Sequence, residues 1–237
     1  MTKTLLASAA LAALIAAPAH AVTLVAWNFN SAVPDGNTAT GTTMPSVGVG
    51  TASLQGTTAT FATGSPTDTP VDNSGWNTTS YPAQGTGDKT EGAAFFFSTL
   101  GFQGIQFAWE HRHSNTSSKY GMVQYTLNGG GTWADAPIGL FLAFGGDAWH
   151  SRSVDFTGVA GADNNATFGV RVVSTFRPGT MAYDPSNSGS TYSANGTWRF
   201  DGVVATAAAP IPEPGTWALT IAGVAALGFV ANRRRTN

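Results

Sequence analysis

The chain has 237 residues, no cysteine, 29 glycines and only 10% charged residues, with a formal net charge of −2. The charged fraction is far below the roughly 25% of ordinary soluble domains, and the absence of cysteine leaves the fold to its core, without disulfides. Between the two ends, over residues 22–206, seven Lys and Arg face twelve Asp and Glu, a balance of −5. That sign argues against nucleic acid or an anionic lipid surface as a partner.

From the N-terminus, Lys3 is followed by an apolar core from Leu5 to Ala17 and by Ala19-His20-Ala21, which fits the small-x-small cleavage rule. Residues 1–21 therefore read as a secretory signal helix, handed to the secretion machinery and cut by signal peptidase after Ala21. The next 185 residues suffice for one domain with a real core.

Residues 22–206 contain no long helical period. Short alternating runs separated by Gly, Asn, Ser, Thr and Pro predict strands at Leu24–Phe29, Ala59–Ala62, Ala94–Ser98, Gly104–Arg112, Tyr120–Leu127, Ile138–Phe144, Ser151–Phe156, Thr167–Thr175 and Thr197–Thr206. In Gly104–Arg112, for instance, Ile105, Phe107 and Trp109 share one face and Gln106, Ala108 and Glu110 the other. About nine half-buried strands over this length predict an all-β, antiparallel β-sandwich of jelly-roll type. Residues 31–58 and 64–91, rich in Thr, Ser, Gly and Pro, read as long loops or as strands that the pattern hides. Residues 207–215, opening on an alanine run and carrying two prolines, read as a linker.

From Trp217 to Ala231 the chain carries fifteen uncharged residues, and Arg233, Arg234 and Arg235 follow. A helix of that length spans about 23 Å against a hydrocarbon core of roughly 30 Å, so residues 216–237 predict a short transmembrane helix with Trp217 at one interface. The arginines place the C-terminus in the cytoplasm and the body outside. Pro212-Glu213-Pro214, the apolar span and the arginine cluster together are similar to the PEP-CTERM sorting signal, also labelled the ice-binding protein C-terminal domain. The resemblance implies an exported protein of a Gram-negative bacterium, held in the inner membrane as an intermediate. It also implies recognition by an exosortase, removal of the tail, and delivery to the cell surface or exopolysaccharide matrix. Ice binding itself requires regularly spaced threonines, which the body lacks.

Within the body, Thr126-Leu-Asn128-Gly-Gly130-Gly-Thr132-Trp133 resembles the Asp-box hairpin, with Asn128 in place of aspartate. Asn and Gly accept positive φ, and the tryptophan caps the turn. A looser resemblance, carried by Val123-Gln-Tyr125, Phe168-Gly-Val-Arg171 and Trp198-Arg-Phe200-Asp201, is to β-sandwich domains found beside PEP-CTERM tails. Jelly-roll domains of the carbohydrate-binding kind hold a structural calcium where first and last strands meet, which makes Asn28 and Asp201 candidate ligands. Simple pairing of Asp201 with Arg199 or a backbone amide competes with that role.

His111 and His113 share a strand face at a spacing able to clamp a metal ion, with solvated strand-end residues as the alternative. Trp76, Tyr81, Trp149, Tyr183 and Tyr192 are candidates for stacking on a sugar ring, or else for stapling loops to the body. The chain carries no Gly-x-Ser-x-Gly, no His-Glu-x-x-His, no P-loop and no cysteine nucleophile. The sequence thus predicts a non-enzymatic exported protein, with a carbohydrate-binding module and a divergent extracellular hydrolase as alternatives.

Overall fold

The computed structural model describes residues 21–68, 72–210 and 223. The expected signal segment, but for Ala21, and the expected membrane segment, but for Gly223, lie outside the described residues, as does Pro212-Glu213-Pro214. Among the described residues no helix is long and apolar enough to cross a membrane.

Twelve strands form two antiparallel sheets. The larger holds β1 (Val22–Trp27), β2 (Val47–Gly48), β4 (Thr58–Thr63), β5 (Ser74–Thr79), β7 (Phe102–His113), β10 (Trp149–Asp155) and β12 (Trp198–Pro210). Its order is β10-β7-β12-β1-β2, with β5 also paired to β12 and β4 to β5. The smaller runs β3 (Gly50–Gln55), β6 (Gly92–Phe97), β11 (Gly169–Ser174), β8 (Tyr120–Thr126) and β9 (Ala134–Leu142). The two-sheet, all-β architecture agrees with the period-two reading, and all nine expected strands have observed counterparts.

Alternation decides which side chains meet between the sheets. Val25 and Trp27 of β1, Ile105, Phe107 and Trp109 of β7, and Phe200, Val203 and Ala205 of β12 are buried from one side. Phe95 and Phe97 of β6, Val170 and Val172 of β11, and Val123 of β8 are buried from the other. Phe95 is the hub: its ring centroid lies 5.3 Å from Trp27, 5.5 Å from Phe107 and 6.2 Å from both Trp76 and Phe200. Tilted and edge-on contacts of this kind add to the gain from burial.

Strand β12 pairs with β7 along one flank, while on the other Trp198–Phe200 pairs with β5 and Val203–Ala207 pairs with β1. The ladder is broken between Asp201 and Val204, where Gly202 takes φ 51° and the strand passes from one neighbour to the other.

Two features depart from the sequence reading. Residues 31–58 and 64–91 are not uninterrupted loops, since β2, β3 and β5 lie within them. Residues 207–210 are strand rather than linker, with Ala207 buried opposite both Val22 and Ile105, and Ala209 paired to Gln103. An alanine run reads like a spacer by composition, yet here its backbone continues the ladder with β7 as far as Pro210. Finally, the hairpin at Asn128 closes as the resemblance implies: Asn128 Oδ1 accepts from Thr132 N at 2.9 Å, and Gly129 and Gly130 take φ 68° and 95°. Trp133 folds onto the outer face of the smaller sheet, edge-on to Phe96 and under the Arg171 guanidinium.

Phe95→Ala should lower stability by about 3–5 kcal/mol through the cavity it leaves. Urea unfolding reads this as a fall in midpoint. A loss below ~1 kcal/mol would show that the core is not centred on this ring.

Candidate functional site

The polar groups that sequence reading singles out fall into two places, one on the outer face of the larger sheet and one inside the sandwich. On the outer face, Asp201 occupies the β12 bulge and is fully buried beneath residues 64–68. Its Oδ2 accepts from Ser65 N at 2.6 Å and its Oδ1 from Gly202 N at 2.7 Å. Burial nonetheless lifts its carboxyl to about 7, against the pull of those two amides. Asn73 Oδ1 is buried nearby without a partner, while its Nδ2 donates to Ser65 O and Asp68 O. A side chain at Gly64 would run into Asn73 Oδ1 and Asp201 Oδ2 at once, so two acceptor oxygens converge on one spot.

The first and last strands do pair, Trp27 opposite Val203. Asn28, however, makes its contacts elsewhere. It lines an open recess with Asn30, Ser31, Asp68 and Asp72, and its side chain caps the Asn30 amide. Asn30 Nδ2 in turn donates to Asp68 Oδ2 at 2.9 Å. Among the described residues no hydrogen bond joins Asn28 to Asp201, and none forms a cluster of three or more His, Cys, Asp or Glu side chains placed to hold a metal ion. The side chain that does approach Asp201, Asn73, carries no signal in the sequence, because only the bulge and the hydrogen bond from Gly64 N to Asn73 O bring it there.

Inside the sandwich, His111 and His113 do project from one face of β7, but they are fully buried rather than solvated. Their rings lie 4.2 Å apart; His111 stacks on Phe200 at 4.6 Å and meets Trp198 edge-on. His113 Nδ1 donates to Ser118 O at 2.9 Å, leaving Nε2 without a partner; neither nitrogen of His111 has one. His150, opposite His111 in β10, joins the same layer, 6.5 Å from His113. What makes the strand end interior is the covering of β7 by β10, β12 and Phe141, none of them near in sequence.

Of the five aromatics proposed for sugar stacking, Trp76, Tyr81 and Tyr183 are buried and present no free face. Trp76 packs between Phe29 and Phe95. Tyr81 donates to Thr78 Oγ1, Tyr183 to the carbonyls of Thr86 and Gly87, and Tyr192 to Pro82 O. Tyr183 and Tyr192 stack at 4.7 Å, and the set fastens residues 176–195 to residues 80–90. Trp149 stands apart from these four, half-buried on the outer face of the larger sheet opposite Arg112. Glu110 lies on that same face and accepts from Ser151 Oγ, whereas Glu91 precedes β6 in the other sheet.

Burial holds both histidines of β7 neutral, pushing His113 down to about 3 and His111 well below its ordinary value. Below pH 6.5 the unfolded chain takes up protons that the folded chain refuses, so stability falls by about 1.4 kcal/mol per pH unit for each ring. Asp201 works the other way, since its raised carboxyl gains stability as pH falls from 7 toward 4. His111→Leu should therefore flatten the slope of unfolding free energy between pH 6.5 and 5 by about 1.4 kcal/mol per unit. An unchanged slope in urea titrations would mean that His111 is charged in the native state.

No curated protein matches the chain in sequence. Among solved structures it is similar to the C-terminal family 22 carbohydrate-binding module of a Clostridium thermocellum xylanase, at 14% identity and TM-score 0.44, over 70% of this chain and 91% of that one. It is also similar to that xylanase's N-terminal module joined to its catalytic module, at 10% identity and TM-score 0.40, covering 69% of this chain and 27% of that one. The adhesin domain K1 of Lys-gingipain from Porphyromonas gingivalis follows at 12% identity and TM-score 0.39, over 79% and 98%. Likeness this remote assigns no activity. Residues 210–235, in contrast, match the PEP-CTERM protein-sorting motif. The chain carries that motif directly after its last strand, and with it the mark of an exported protein processed by an exosortase.

Proposed function

We propose that the chain is a non-enzymatic β-sandwich protein of the cell surface or exopolysaccharide matrix of a Gram-negative bacterium. Export removes residues 1–21, the tail holds an intermediate in the inner membrane, and an exosortase acting at the Pro212-Glu213-Pro214 motif releases the body. The observation that carries this reading is the sorting motif at residues 210–235, which begins where β12 ends. Arg233, Arg234 and Arg235 supply the cytoplasmic stop. Mass spectrometry of protein from an exosortase-bearing host should find the peptide through Asn237 missing, and from a host lacking the enzyme should find it retained. Equal retention in both would replace sorting by a permanent anchor.

A second reading, a glycan-binding body stiffened by calcium, is favoured by the two converging oxygens at the bulge. Asp201 and Asn73 Oδ1 would hold a hard cation there, with carbonyl oxygens and water completing its shell. Trp149 is the aromatic with an open face for a sugar ring. A cation competes with the proton on Asp201, so calcium should raise the melting temperature more at pH 8 than at pH 5. No change on chelation at either pH would end this reading.

A further inference from the structure

The edge strands β9 and β10 end the two sheets on the same side of the sandwich, and between them opens a cavity of about 230 Å³. Its walls include Trp109, Val123, Phe141 and Arg152, with Ile138 at the rim. Arg152 lies on the inward side of β10, its guanidinium 4.9 Å from the Phe141 ring centre and its Nη2 donating to Leu142 O at 2.9 Å. Its Nε is buried without an acceptor, and among the described residues it pairs with no carboxylate. Trp109, only 3% exposed, likewise carries a buried Nε1–H that meets no acceptor.

Two side chains with an unmet donor, one of them charged, thus stand at the same small space. Arg152 is half-buried, and a cation partly withdrawn from water without a counter-charge carries a desolvation cost. The groups around them supply no negative charge. His111, His113 and His150 share the inward layer and are neutral or cationic, and Glu110, on the opposite face of β7, is engaged by Ser151. The rim is also unusual. Ile138, a β-branched residue, takes φ 52° in the Pro137-Ile138-Gly139 break of β9 and is 97% exposed. Such backbone costs energy for a β-branched side chain, and strained positions gather at binding sites.

We infer that this cavity binds a carboxylate, with the Arg152 guanidinium as its donor and Trp109 and Phe141 as apolar walls. Arginine suits the planar anion, and aromatic walls suit the C–H face of a sugar ring. The volume lies below the ~300–1,000 Å³ of drug-sized sites, so it admits one unit and not a chain segment. A uronate unit of an acidic polysaccharide and a free small carboxylate share this chemistry. The choice of the uronate rests on the matrix reading above; the carboxylate pocket does not.

Calorimetric titration of the full chain in detergent micelles tests it, with acetate, glucuronate, oligoglucuronate and neutral xylo-oligosaccharide as probes. Wild-type protein should bind glucuronate, and Arg152→Gln should weaken binding about tenfold to a hundredfold, as loss of a charged hydrogen bond predicts. Ile138→Asp alters a fully exposed rim residue at a φ that Asp accepts, so it folds and should repel the anion severalfold. Binding of glucuronate and oligoglucuronate points to a polysaccharide unit, and binding of the monomer or acetate alone to a small free carboxylate; either supports the pocket. No carboxylate binding by folded wild-type protein, or binding that Arg152→Gln and Ile138→Asp leave unchanged, overturns it. Sorting is read by mass and binding by heat, so failure of one leaves the other standing.

Discussion

The pairing of β12 between β7 on one flank and β5 and β1 on the other is the constraint on which the rest of the structure depends. Parallel to its hydrogen bonds runs its inward row of Trp198, Phe200, Val203, Ala205 and Ala207, all buried, which gives the larger sheet its apolar floor. The register break at Asp201 lies in the ladder with β7, at the point where the other flank of β12 passes from β5 to β1. That break leaves Gly202 at positive φ and a carboxylate under the 64–68 segment. The most perturbed acid of the body is thus a consequence of topology.

The interior polar layer has the same origin at the other end. Because β7 is long and covered on both flanks, its last residues stay inside the sandwich, and His111 and His113 are buried where a shorter strand would have left them in solvent. Phe141 from the opposite sheet closes over them and over Arg152. The body therefore sets one cation, Arg152, beside two histidines whose protonation burial opposes, His113 and His150, while its overall charge is negative. Long-range attraction to a polyanion is weak under those conditions, so recognition of an anion here depends on local pairing.

Much of the architecture was legible because apolar alternation is a direct record of a half-buried strand, as in Ile105, Phe107 and Trp109. The turn chemistry of Thr126–Trp133 and the three-part tail were equally plain, each resting on side chains with a local role. Strand β5 was hidden because its buried positions include Ser74 and Thr78, whose polar groups are satisfied by hydrogen bonds, Thr78 to Trp198 O among them. Strand β3, an edge strand of small residues with little buried surface, leaves no apolar period at all. Trp76 and Tyr183 looked available for binding because their neighbours in sequence are polar, but their neighbours in space are Phe95 and Tyr192. The site residues were the least legible, since Asn73 beside Asp201 and Arg152 beside Trp109 meet only through tertiary pairing.

The sandwich closes on the strand that runs straight into the sorting motif, so delivery and fold meet at Pro210 with no slack between them. Amide hydrogen exchange along β12 tests this most directly. Backbone amides of Val203–Ala207 engaged with β1 and β7 should be among the slowest in the protein, opening only with global unfolding, and protection should extend to Ala209. Exchange from Ala205 onward at the rate of unstructured chain would contradict the account and restore a linker to that position.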